Sequence, residues 1–318
     1  MACRKPKVVV IGAGSVGTTY IYALLQTGMA EEIALIDLDR NRVEGEIMDL
    51  SHGLPFIPPV SVKVGTYADC ADASLIVVTA GAKQAPGQSR ADLIRKNTGI
   101  VRAISTQIAQ NPSDAVVLMV TNPVDTLTQV ALECLGWPRQ RVIGSGTVLD
   151  SARFKYMLSR HCGIDARNVH GYILGEHGDS EVAAWSLSHI AGISIEEYCR
   201  ICSVCDYKQH HRQIAEQVRD SAYHIIDYKG STYYGIGLSL VRITGAILRN
   251  ENSVLTVSSL LRGEYGIQNV CLSVPCIVGE NGIVRIIDAQ LAPAEQEALN
   301  RSAEAIARTL ATARQEQS

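Results

Sequence analysis

A doubly wound parallel α/β sheet followed by an α+β domain is the architecture this sequence predicts. Three observations lead there. β-branched runs alternate with helical stretches through the first half, a glycine-rich turn follows the first run, and near residue 145 the alternation gives way to a mixed pattern.

The runs are 7–11 (KVVVI), 32–37 (EIALID), 61–65 (SVKVG), 74–79 (SLIVVT), 115–120 (AVVLMV) and 141–144 (RVIG). The longer ones lack polar alternation, as strands buried on both faces of a parallel sheet do. Helical patterns over 15–29, 39–51, 90–110 and 124–135 separate most of them. A further helix is expected from Val148 to His161, others over 208–228 and 235–249, strands within 254–288, and a last helix over 293–315 opened by Pro293. Residues 1–145 and 146–318 are expected to form two domains.

Composition excludes several functions. The 318 residues are 47% hydrophobic and 19% charged, with a net charge of −3. Such a chain buries a core without staples and shows no basic footprint for nucleic acid. Nine cysteines in no regular framework read as reduced thiols. Arg4, Lys5 and Lys7 before Val8–Ile11 imitate a signal peptide, but glycines break the run, and elsewhere no apolar stretch approaches the ~18 residues of a membrane span. A cytoplasmic protein without membrane or nucleic-acid partners is expected.

Gly12-Ala13-Gly14-Ser15-Val16-Gly17 fits G-x-G-x-x-G between a strand and a helix, the Rossmann dinucleotide signature. Its glycines allow a tight turn, close approach of a pyrophosphate, and close helix–strand packing; the helix N-terminus favours the anion. Asp37 ends the next strand, where a carboxylate accepts from a ribose and repels a 2′-phosphate, so NAD is favoured over NADP. Three further segments carry chemistry. Residues 81–90 (GAKQAPGQSR) form a small polar loop after a strand end, with an Arg before a helix. Asp150 and Arg153 share one helical face. In 175–179 (GEHGD), glycines flank His177. Taken singly, each is also compatible with a plain loop, a helix salt bridge or a structural histidine.

Together with 11–17 (IGAGSVG), 121–128 (TNPVDTLT), 142–154 (VIGSGTVLDSARF), 175–181 (GEHGDSE) and 229–237 (KGSTYYGIG), these segments resemble the lactate/malate dehydrogenase family, bacterial type, over essentially the whole chain. The resemblance implies NAD as cofactor and assigns roles. His177 is the proton donor to a substrate carbonyl and Asp150 orients it. Arg153 grips the substrate carboxylate, and Arg90, carried by the closing loop, polarises the carbonyl. Asn122 stands near nicotinamide and substrate. By positional match Val16, Arg42, Tyr67, Gly81, Ala82, Ser105 and Ser145 join Gly12, Gly14, Gly17 and Asp37 in the NAD groove.

In this family the position of Gln84 faces the substituent of the keto acid, where malate enzymes carry an Arg. An uncharged amide there disfavours a second carboxylate, and Thr232 narrows the wall, so the pyruvate/lactate pair is expected. Malate or a branched-chain 2-hydroxy acid is the alternative substrate class. A non-catalytic dinucleotide sensor is the alternative kind of protein; such a chain would have lost some of Arg90, Asp150, Arg153 and His177. The resemblance further implies a homotetramer built on twofold contacts, and an allosteric fructose 1,6-bisphosphate site at which His170 matches the family's His while Lys155 replaces its Arg. Cys199, Cys202 and Cys205, with His210 and His211 behind them, have ligand chemistry for zinc. The resemblance supplies no metal there, and none is expected.

Overall fold

The computed structural model describes residues 6–82, 89–202 and 207–314. Strands β1 (Lys7–Ile11), β2 (Glu32–Ile36), β3 (Ser61–Val64), β4 (Leu75–Val78), β5 (Val116–Met119) and β6 (Val142–Gly144) run parallel in the spatial order β3-β2-β1-β4-β5-β6. The order reverses between β1 and β4, so a crevice opens at the carboxyl ends of those strands. All residues of β1 and β4 are buried, which is why their sequences show no polar alternation. Helices α1 (Ser15–Leu25), α2 (Arg40–His52), α3 (Arg90–Ala109) and α4 (Val124–Leu135) cover the sheet. Alternate residues of β1 feed two cores. Val8 and Val10 pack with Tyr20, Ile21 and Leu24 of α1. Val9 and Ile11 share the other core with Val101 and Ile108 of α3 and Leu127 of α4. Helix α1 ends four residues before the predicted limit, because the chain turns at Gly28 with φ +64°.

Beyond β6 come α5 (Val148–Cys162) and short strands β7 (Val169–His170), β8 (Ile173–Leu174), β9 (Val182–Ala183), β10 (His189–Ile190) and β11 (Ile193–Ser194). Helices α6 (Ile195–Cys202), α7 (Tyr207–Lys229) and α8 (Tyr234–Leu248) follow, then β12 (Ser253–Leu255), β13 (Ser258–Arg262), β14 (Gln268–Ser273), β15 (Cys276–Gly279), β16 (Gly282–Ile286) and α9 (Pro293–Arg314). A third core joins Phe154 and Leu158 of α5 to Trp185, Ile195 of α6 and Val218 of α7, with Phe154 and Trp185 edge to face at 4.8 Å. Antiparallel β13 and β14 extend the parallel sheet past β6, making it eight strands wide. The join is tight: a Cβ on Gly144 would lie 2.8 Å from that of Ser258.

Cys199 of the cysteine-rich segment is buried in the third core, His210 stacks 4.7 Å from His161, and His211 lies 3.7 Å from Trp185. Cys205 falls outside the described residues. Among the described residues no group of three or more His, Cys, Asp or Glu is placed to hold a metal, and no helix is long and apolar enough to cross a membrane.

Candidate active site

The carboxyl ends of the parallel strands gather most of the predicted cofactor residues. Gly12 follows β1 with φ +119°, and a Cβ there would meet the Ala80 backbone nitrogen at 2.6 Å. Gly17, inside α1, lies so close to the turn that its Cβ would fall 2.0 Å from the Gly12 carbonyl oxygen. Gly14, by contrast, is exposed, with nothing within 4 Å of the Cβ position, and it begins α1 without a side-chain cap. A helix start left open beside a bare backbone suits a pyrophosphate. Asp37 follows β2. Its Oδ2 accepts from the Ala13 N–H at 2.7 Å and its Oδ1 from the Asp39 N–H at 3.1 Å. Each carboxylate oxygen keeps a lone pair for a ribose hydroxyl. This chain therefore offers both an anion cradle and a ribose acceptor to a dinucleotide.

The remaining strands contribute in turn. Tyr67, after β3, is half-buried, and burial holds its phenol above the usual range. Gly81 and Ala82 follow β4; the Ala82 N–H donates to Asn97 Oδ1 at 2.8 Å. Asn122 follows β5, and its carbonyl accepts from Asn97 Nδ2 at 2.9 Å. Ser145 follows β6, buried, its N–H on the Met119 carbonyl. Val16 is half-buried in the first turn of α1, and Arg42 is exposed on α2, 3.9 Å from Glu46. Ser105 sits inside α3, 2% exposed. Asn97, one side chain tying together the ends of β4 and β5, had no signature in the sequence.

A linked carboxylate, imidazole and guanidinium lie beside this crevice. Asp150, in the first turn of α5, is 2% exposed. Its Oδ2 is 2.5 Å from His177 Nδ1, and its Oδ1 accepts from Arg153 Nη1 at 2.6 Å. Burial opposes ionisation of Asp150, but the adjacent His177 and Arg153 outweigh it and hold the carboxyl below its ordinary range. The same Asp150 charge, against the opposing effect of burial, raises the His177 pKa to about 9.

Several contacts aim the histidine loop. Gly175 exchanges two backbone hydrogen bonds with Ser273 of β14. The Glu176 N–H donates to Ser302 Oγ on α9 at 2.8 Å. The His177 N–H donates to Asp125 Oδ2 on α4 at 2.8 Å. Asp125 is itself 2% exposed and also accepts from Ser273 Oγ at 3.3 Å; burial pushes its pKa up to about 6. Asp125, Ser273 and Ser302 were not singled out from the sequence. Only the buried pattern around Asp125 hints at a carboxylate with an internal partner.

The resulting cleft holds about 390 Å³. Leu93 and Ile94 of α3 and Ala222 and Ile226 of α7 make an apolar side; Asn122, Arg153 and His177 make a polar end. Gln84 lies outside the described residues, and so does the side chain of Arg90, whose backbone opens α3. Thr232 is half-buried between α7 and α8 and does not line this cleft. Lys155 lies on α5, half-buried, and His170 is exposed on β7.

A cleft with one apolar side that ends in a guanidinium and a carboxylate-held imidazole, beside a dinucleotide crevice, is the arrangement of a 2-hydroxy-acid dehydrogenase. Residues 6–144 match the NAD-binding domain model of the lactate/malate dehydrogenases, and residues 147–317 match the model of their α/β C-terminal domain. The chain belongs to the lactate/malate dehydrogenase family. It is 56% identical over 302 residues to the L-lactate dehydrogenase of Treponema denticola, covering 94% of this chain and 96% of that protein. It is 51% identical to the L-lactate dehydrogenase of Acetivibrio thermocellus, covering 93% of each. The crystal structure of the minor L-lactate dehydrogenase from Enterococcus mundtii, in its ligand-bound form, superposes with a TM-score of 0.95 at 43% identity, covering 98% of this chain and 100% of that one.

Proposed function

We propose that this chain is an NAD-dependent L-lactate dehydrogenase, interconverting pyruvate and L-lactate. The observation that carries the reading is the Arg153–Asp150–His177 constellation at one end of a cleft with an apolar side. Arg153 spends one donor on Asp150, and the rest of its fork suits a substrate carboxylate. His177 donates its Nε2 proton to the keto oxygen as the hydroxyl forms and removes it in the opposite direction. Asp150 fixes the imidazole's tautomer and stabilises the imidazolium. Bound NADH supplies the hydride. Arg90, brought in by the loop, stabilises charge on the carbonyl oxygen.

Gln84 sets the preference for a methyl over a second carboxylate. The decay of NADH absorbance with pyruvate, oxaloacetate and 2-ketoisocaproate in parallel tests this. Pyruvate is expected to give the highest kcat/KM, and a lead for oxaloacetate would overturn the choice. Gln84→Arg is expected to shift the oxaloacetate-to-pyruvate ratio upward by tenfold or more, since one buried ion pair contributes roughly 1–3 kcal/mol of discrimination.

Self-association, to a homotetramer, belongs to the same reading. Tyr22, Met48, Phe56, Tyr234 and Leu238 are each more than half exposed, and Tyr22 and Leu238 stand on the contacting helices α1 and α8. Sedimentation velocity measures the assembly. A fructose 1,6-bisphosphate site is proposed at Lys155 and His170. Burial and the nearby Arg242 charge lower the pKa of Lys155, a strain that a bound phosphate relieves. A fall in pyruvate KM with millimolar bisphosphate, absent in Lys155→Gln, is the expected result. A cytoplasmic location accords with the unpaired thiols of Cys70, Cys134, Cys271 and Cys276.

A further inference from the structure

Glu181 enters the cleft from the loop that carries His177. It is half-buried, and among the described residues its carboxyl makes neither a hydrogen bond nor an ion pair. It also lines a second cavity of about 830 Å³, which reaches from α6 and α7 to the start of α9. Among the described residues only Glu181 and Arg219 of α7 line both spaces, so these two side chains stand at the partition between them.

The charges around this carboxyl come from every neighbouring element. From α5 come Asp150 and Arg153; from its own loop come Glu176, His177 and Asp179; α7 contributes Arg219. On the second-cavity side stand Glu196 of α6, His211, Arg212 and Glu216 of α7, and Glu295 of α9. Asp125 lies beyond His177. Burial and the Asp150 charge disfavour the carboxylate form of Glu181 more than His177, Arg153 and Arg219 favour it, and its pKa is pushed up to about 8.

We propose that Glu181 governs substrate binding through its own proton: as a neutral acid it admits a carboxylate to Arg153, and as an anion it competes for that guanidinium and repels the carboxylate. The proposal rests on the 2-hydroxy-acid dehydrogenase reading of the cleft. A second negative charge in a confined space beside one clamp is costly. By linkage, a bound substrate anion raises the affinity of Glu181 for its proton by the factor that ionisation lowers the affinity for substrate.

The test is KM and kcat for pyruvate and for lactate between pH 7 and 9.5, in wild type and Glu181→Gln. The ratio of wild-type to variant KM is expected to grow about tenfold from pH 7 to pH 9, whatever its value at pH 7, because a group one unit above its pKa is about ten parts ionised to one. The ratio of kcat values stays flat with pH. Both substrates respond in the same direction, whereas the titration of His177 moves pyruvate and lactate oppositely. A KM ratio constant with pH, or a drift confined to kcat, overturns the proposal. If oxaloacetate is turned over and pyruvate is not, the substrate reading falls while the same pH test is read with oxaloacetate. Infrared titration of the wild type is independent of whether the variant folds. It should show a protonated-carboxyl band vanishing with a midpoint near pH 8, distinct from that of Asp125 near 6, and the absence of such a band overturns the proposal.

Discussion

At the residue scale, a carboxylate 2.5 Å from an imidazole changes what both do with a proton. Replacing His177 by Asn should lower kcat by about 10²–10⁴-fold and leave NADH affinity near wild type, measured by fluorescence titration, because the residue lines the cleft beside Arg153 and not the glycine turn. The pair also links stability to pH. The folded-state pKa of His177, about 9, lies above the ordinary value of 6.5, so its contribution is complete below pH 6.5 and disappears as pH rises through 9. Wild-type Tm should therefore fall more steeply than that of His177→Asn between pH 7 and 9.5; parallel curves would refute the linkage. Asp125→Ala removes the acceptor of the His177 N–H and should cost about 1–3 kcal/mol, an orphaned buried donor, together with a loss of kcat; calorimetry and turnover check both. His177, Asp150 and Arg153 were legible in the sequence because their motifs recur as local strings. Asp125 was not: its partners lie 52 and 148 residues away, and no local spacing encodes such a meeting.

At the scale of elements, the fit between β1 and α1 is set by one atom pair. Gly17→Ala would place a methyl 2.0 Å from a backbone oxygen that cannot step aside. The expected result is a loss of about 1–3 kcal/mol in stability, as for other overpacked sites, and a loss of NADH affinity exceeding tenfold. Unchanged NADH binding by calorimetry would mean that the turn does not form the cradle. The long elements were readable: α4 occupies the predicted 124–135, and β1 the predicted 7–11. Two-residue strands such as β7 and β8 are too short to show a period, and α6, eight residues long, is below the length at which helix and loop patterns separate.

At the scale of the whole molecule, the sheet does not respect the division expected at residue 145. Its edge beyond β6 is closed by β13 and β14, which the chain reaches more than a hundred residues later. The periodicity of 254–288 marked strands, but nothing in their sequence named the sheet they join. Residues 6–144 produced alone should expose the edge of β6 and the separate surfaces that receive α8, on α1, and α9, on α3 and α4, and should elute as an aggregate without a cooperative thermal transition; a monomer with a sharp transition would contradict this. The same join decides how such enzymes can be recombined. A chimera that exchanges its dinucleotide half by cutting only at the linker would leave each parent's strands facing a foreign neighbour at Gly144 and Ser258. The portable unit is discontinuous in sequence, 7–144 carried together with 258–273, and crossover libraries that keep those two blocks from one parent should retain far more folded members than libraries with a single junction.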